Sequence, residues 1–305
     1  MQKAFLSVVL CLSLCFSLPV SAHAAKSKAS SDSLRLSYEA LRDTLSYDIS
    51  SHGTEEHTDW ISLLALLAVK YDGDLECYRG RDLSAFRSKL AQGTSPHKAS
   101  GDPSLFALYH STLETILGGM VGTYTQVSAD RNGVLTQASY YGLRPCSPLA
   151  DLHSYTHTDD FGASRIGLLH PIHRGHDLFG SVGTPVIAVE GGVVEQVGWD
   201  PDVGWCITIR SRLGERSYRY GHLQEDPSLH GLSQGCEVLG GEVIGTLGIT
   251  GGSAVPHLHY EMFLVGTEEI YVDLFALTRL FAHRRVLTRI TKDGEHTSCR
   301  YVLYP

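Results

Sequence analysis

No CxxC pair occurs among the 7 cysteines of this 305-residue chain, which removes both a cysteine-built metal site and a thiol redox motif. Positive charge is scarce too: 25 Lys and Arg against 33 Asp and Glu give a formal charge of −8. That balance excludes a nucleic-acid partner, and it offers no long-range attraction to anionic polymers or lipid. Beyond residue 24 no apolar run approaches the ~20 residues that a membrane span needs. The longest, Trp60 to Val69, ends at Lys70 and suits a buried helix.

The first residues are read apart from the fold. Lys3, the apolar run Ala4 to Val20 and then Ala22-His23-Ala24 have the three parts of a secretory signal peptide, so residues 1–24 are assigned to one. Ser7, Ser13, Ser17 and Pro19 interrupt the run, which argues against a retained anchor. Leu10 and Leu14 precede Cys11 and Cys15, where lipidation would want a small residue. The mature chain is therefore expected to be secreted and extracellular, with no integral membrane span. Loss of Lys3 takes its charge to −9. Cys77, Cys146, Cys206, Cys236 and Cys299 remain, an odd number, so at least one thiol stays free or pairs between molecules. The sequence carries no signal for oligomeric state.

Two textures follow. Over residues 33–124 apolar residues recur at helical spacing: Leu34, Tyr38, Leu41, Leu45; then Leu83, Phe86, Leu90 up to Gly93; then Leu105 to Leu117 behind Asp102-Pro103. Trp60 to Tyr71 is apolar nearly all round, as the central helix of a bundle would be. Residues 125–164 read as a linker. Residues 165–280 break into short glycine-punctuated runs and read as an antiparallel β domain. Its expected strands are Val186–Val189 joined by Gly191-Gly192 to Val193–Val197, then Trp205–Arg210, Arg216–His222, Glu242–Leu247 and His257–Leu264. Helical character returns at Leu274–Leu280, and 281–305 is a C-terminal extension. The fold class is α+β.

Three short signals lie in the β half: His173-Arg174-Gly175-His176-Asp177, an HxGxD; Tyr220-Gly221-His222; and His257-Leu258-His259, an HxH whose strand period of two aims both imidazoles at one face. Each alone is weak among 16 histidines. Together they supply what a catalytic zinc needs: three His or carboxylate ligands, an open position, and further bases to move a proton. His173, Asp177 and one member of the HxH would be the ligands, with the other HxH histidine and His222 nearby. Gly175 is expected to let the chain turn so that His173 and Asp177 converge. HExxH is absent, which excludes the helix-borne metalloprotease design.

In this order the three motifs resemble the M23 peptidase family, the LytM or lysostaphin-type endopeptidases. Gly183-Thr184-Pro185-Val186-Ile187-Ala188 with Gly191-Gly192-Val193-Val194, and Gly248-Ile249-Thr250-Gly251 with Ser253 ahead of Pro256, resemble the flanking family stretches. The likeness covers roughly Arg165 to Leu264. The whole chain also resembles secreted clostridial M23 proteins with a helical N-terminal region, through His57-Thr58-Asp59-Trp60-Ile61 and Asp159 to Arg165. The resemblance implies a zinc metalloendopeptidase acting on the peptide of bacterial peptidoglycan, with His173, Asp177 and His259 holding Zn2+, His257 as general base and His222 steadying the oxyanion. Two departures stand out: Gly221 replaces a frequent alanine, and His176 replaces a usual aliphatic residue. His176 is expected behind the ligands, and His153, His157 and His170 are assigned no role. The rival reading is a non-catalytic LytM-like wall-binding regulator that activates another hydrolase.

Overall fold

The computed structural model describes residues 34–303 apart from 130–133, 166, 168, 170, 267–268, 291–295 and 299. The signal peptide expected at 1–24, His170 and Cys299 lie outside the described residues. The chain forms two compact units, with the division in sequence between Glu114 and Thr115. No described helix is long and apolar enough to cross a membrane.

The first unit is helical: α1 (Tyr38–Ser51), α2 (Trp60–Lys70), α3 (Gly80–Ala91), the one-turn α4 (Pro96–Ala99) and α5 (Pro103–Leu117), which runs past the division. α2 is buried from Trp60 to Ala68, as a helix apolar on every side must be. Its start is set locally. Asp59 caps it by accepting from the Ser62 amide at 2.8 Å, and the buried Asp48 of α1 accepts from the Trp60 amide at 2.9 Å and pairs with His57 at 2.8 Å. The His57-to-Trp60 segment is thus a cap and stitch between two helices.

The second unit is built on antiparallel strands. Its first two, β1 (Val121–Ala129) and β2 (Leu135–Leu143), form a hairpin in register along nine residues, so residues 125–164, read from sequence as a linker, contain strand. The main sheet is assembled from β3 (Tyr155–Thr156), β4 (His176–Gly180), β6 (Gly192–Asp200), β7 (Gly204–Ser211), β8 (Arg216–Leu223), β9 (Glu237–Val238) and β11 (His257–Leu264), in the order β3-β4-β11-β8-β7-β6-β9. β12 (Ile270–Tyr271) adds to the end of β11. β5 (Pro185–Ile187) pairs with β10 (Val243–Thr246) in a separate two-stranded sheet. The hairpin expected across Gly191-Gly192 is therefore not formed: β5 finds its partner far away in the chain, and β6 pairs with β7 and β9. After α6 (Phe275–Phe281) the extension is partly strand, with β13 (Thr288–Ile290) on β14 (His296–Ser298) and β15 (Arg300–Leu303) on β1.

β11 lies between β4 and β8 and is buried on both faces. Leu258, Tyr260 and Met262 enter an apolar layer with Tyr218 and Tyr220, Tyr218 and Tyr260 stacking at 5.9 Å. His257, His259 and Glu261 point the other way. One buried ion pair braces the unit: Arg216 Nη2 donates to Glu190 Oε1 at 2.7 Å, both side chains inaccessible to solvent. Its remaining hydrogen-bonding capacity is used by Gly118 O and the Ser211 hydroxyl, which is what makes a buried pair tolerable.

Candidate metal centre

Three neighbouring strand segments converge on one point. Asp177 of β4 lies opposite His259 of β11, so the two side chains share a face, and His173 arrives from the turn just before β4. His173, Asp177 and His259 are buried, and one donor atom of each lies within 4.8 Å of the others. Asp177 Oδ1 is 2.9 Å from His259 Nδ1 and 3.1 Å from His173 Nε2, and the two nitrogens are 3.1 Å apart.

The outer atoms of this triangle decide what it can hold. His173 Nδ1 donates to the Asp160 carbonyl oxygen at 2.9 Å, and His259 Nε2 donates to Glu261 Oε1 at 3.0 Å. With those protons placed, the two inner nitrogens are lone pairs facing each other and a carboxylate oxygen. Such a set repels itself unless a cation lies among it. Tetrahedral zinc with ligands at about 2.0–2.1 Å separates them by about 3.3 Å, close to the edges seen. The donor set, its spacing and its tied-off outer nitrogens fit a metal ion of that kind.

Without metal a proton takes the place. Burial opposes charge on His259, yet Asp177 and Glu261 outweigh it and raise its pKa to about 9. Burial likewise opposes charge on His173, and the carboxylates of Asp160 and Asp177 raise it. Asp177 stays ionised, because the bonds to His173 and His259 overcome its burial and hold it well below the usual carboxylate range. Arg165 adds to this, donating to Asp177 Oδ2 at 2.5 Å.

Two further imidazoles stand beside the triangle. His257 Nδ1 donates to Val255 O at 2.9 Å, leaving Nε2 as an acceptor 3.5 Å from Asp177 Oδ1. His222 Nδ1 donates to Thr250 O at 2.6 Å, and the His222 and His257 rings are 4.5 Å apart. Burial, reinforced by His257 and His259, pushes His222 down to about 4, and burial lowers His257. Both are neutral bases at pH 7. His222 can thus donate to an oxyanion only after it takes up a proton, a condition the sequence does not reveal.

Backbone devices aim these groups. His222 has φ 55°, uncommon for a residue with a side chain, and sits where β8 carries an extra residue against β7, a bulge that redirects the chain. Gly221 needs its missing side chain, since a Cβ there would lie 2.8 Å from Val203 Cβ. Gly175 differs from expectation. It has no positive φ; it is needed because a Cβ would lie 2.7 Å from Tyr260 O and 2.9 Å from His259 Cε1. The glycine of HxGxD lets β11 close in, rather than letting the chain turn. The site opens into a groove of about 430 Å3 lined by the five residues together with Arg165, Arg219 and Glu261.

The structure brings together all five residues singled out in the sequence. It adds Glu261, Asp160 and Arg165. Glu261 continues the alternation of His257 and His259 and was legible on that ground. Asp160 and Arg165 fall in the Asp159 to Arg165 stretch that carries the resemblance, but no role was assigned to either. His157, assigned no role, lies 2.7 Å from His176.

A buried His-Asp-His triangle with two further imidazoles beside it, on an antiparallel sheet, is a donor set that could hold a metal ion. Residues 171–271, a third of the chain, match the model for Peptidase family M23. The chain is 32% identical over 189 residues to the peptidoglycan DD-endopeptidase ShyC of Vibrio cholerae, covering 59% of this chain and 39% of that protein. It is 34% identical over 123 residues to an L-Ala–D-Glu endopeptidase of Bacillus subtilis, covering 38% and 37%. The chain thus spans under two-fifths of the length of either relative. A LytM crystal structure from Ruminococcus gnavus aligns over 81% of this chain and 91% of its own, with a TM-score of 0.50 at 19% identity, a likeness of fold.

Proposed function

We propose that this protein is a zinc metalloendopeptidase that hydrolyses peptide bonds of bacterial peptidoglycan outside the cytoplasm, after removal of residues 1–24. The observation that carries the reading is the triangle of His173 Nε2, Asp177 Oδ1 and His259 Nδ1, whose outer nitrogens are already bonded. Zinc held there supplies a Lewis acid that polarises a carbonyl and makes water acidic near pH 7.

The chain's own groups do the rest. His257 Nε2, neutral and unencumbered, takes a proton from the attacking water and returns it to the leaving amine. His222 shares the proton traffic, and in its protonated form it donates to the oxygen on which charge develops. Glu261 and Asp160 hold the ligand imidazoles in their metal-facing tautomer. The complete set of five side chains disfavours the non-catalytic regulator, which needs none of these bonds.

Incubation of peptidoglycan with the purified protein tests the reading. New amino termini should appear with the metal-loaded wild type and disappear with a chelator or with His257→Ala. Wall binding without cleavage by any sample would support the regulator. Fragment masses would identify the bond.

A further inference from the structure

Successive residues of β4 face opposite sides of the sheet. Asp177 points to the metal centre, whereas His176 points behind it, fully buried against Phe275 of α6 with ring centroids 5.6 Å apart. An imidazole in that position loses its hydration and needs partners. Its Nδ1 lies 3.4 Å from Asp160 Oδ1, and among the described residues neither of these buried atoms has a hydrogen-bond partner. Its Nε2 shares a hydrogen bond with His157 Nδ1 at 2.7 Å, with the rings nearly perpendicular. The other carboxylate oxygen of Asp160 lies 3.3 Å from His173 Nδ1 and accepts from Arg165 at 3.2 Å.

His157 and His176 share a hydrogen bond, His176 Nδ1 lies beside one carboxylate oxygen of Asp160, and His173 Nδ1 lies 3.3 Å from the other while donating to the Asp160 main-chain carbonyl at 2.9 Å, its remaining nitrogen facing the centre. Asp160 stands at the sheet edge with one oxygen for each side. From this arrangement we infer that His157 and His176 are positioning residues: through Asp160 they fix the orientation of His173 and thereby tighten zinc binding. The inference rests on the metal-centre reading given above. An aliphatic side chain at 176 would fill the same apolar space but remove the imidazole nitrogen 3.4 Å from Asp160 Oδ1.

Zinc affinity of the full-length protein, measured by competition with a chromophoric chelator at fixed pH, tests this beside the melting temperature of the metal-free protein. Asp160→Asn should weaken binding about 10-fold or more, and His176→Leu and His157→Phe each several-fold, toward the lower end of outer-partner effects of about 10–100-fold. His176→Asn, which keeps a polar group facing Asp160, should retain affinity within about threefold on the same scale. In an Asp160→Asn background, His176→Leu should cost little more, because the carboxylate that His176 and His173 both flank is gone while the main-chain carbonyl that accepts from His173 is kept. A packing role would instead lower the melting temperature and leave affinity unchanged. Wild-type affinity in His176→Leu and His157→Phe, or losses that simply add to that of Asp160→Asn, would overturn the brace while leaving the metal centre standing. Failure of the wild type to retain zinc would overturn both.

Discussion

A methyl group added at Gly175 would test how tightly β4 and β11 are clamped. The new Cβ would sit 2.7 Å from Tyr260 O and 2.9 Å from both Glu261 Cγ and His259 Cε1. Carbon contacts are comfortable at about 3.5–4.0 Å, so each is short by roughly 0.6–1 Å. None of the three can step aside freely. Tyr260 O is backbone, Glu261 is bonded to His259, and His259 carries a ligand atom of the centre. Relief must come from retreat of β11, at the about 1–3 kcal/mol typical of overpacking. For a unit of this size that corresponds to a fall in melting temperature of about 2–12 °C. A ligand displaced by ~1 Å should also cost about 100-fold in cleavage rate. Gly175→Ala should therefore lose stability, zinc affinity and turnover together in thermal melts, chelator competition and wall-digestion assays. A variant that melts within about 1 °C of wild type and binds zinc equally well would refute the close-approach account of the glycine.

Other outcomes follow from the charges. Because the ligand imidazoles must be neutral to hold metal, cleavage should fall as pH drops from 8 to about 5, and a rate flat down to about pH 4 would contradict the site. In the metal-free protein His259 has a folded pKa of about 9, above the ordinary histidine value. Its contribution to stability is full below about pH 6.5 and is lost as pH rises through about 9, so metal-free melts should decline across that window while zinc-loaded melts do not. His257→Ala should lower cleavage by about 100-fold or more with zinc affinity within a few-fold; a parallel loss of affinity would make His257 a ligand. Arg216→Ala would strand the buried Glu190 carboxylate, and chemical denaturation should show a loss of about 3–5 kcal/mol.

How much was legible varies with how local each signal is. β7, β8, β10 and β11 follow from alternation and turns in their own segments, and α2 from its apolar content. β1 and β2 were not seen because β2 is exposed from Leu135 to Tyr140 and rich in Thr, Ser, Gln and Tyr, so no buried face marks it. The β5 to β6 hairpin failed for the opposite reason. Gly191-Gly192 has the local form of a tight turn, but β5 is claimed by β10, some 55 residues onward. At the site, the five side chains were readable from spacing. The roles of Asp160, within the Asp159 to Arg165 stretch, and of His157 were not, since they depend on how the segment after β3 folds beside β4.

The account stands on one metal ion held by two imidazoles and one carboxylate. X-ray absorption at the zinc edge of the loaded protein tests this most directly. It should show nitrogen and oxygen neighbours at about 2.0–2.1 Å with imidazole scattering from two histidines, lost in Asp177→Ala and His259→Ala. A sulfur shell at about 2.3 Å, or a wild-type spectrum kept by those variants, would contradict it.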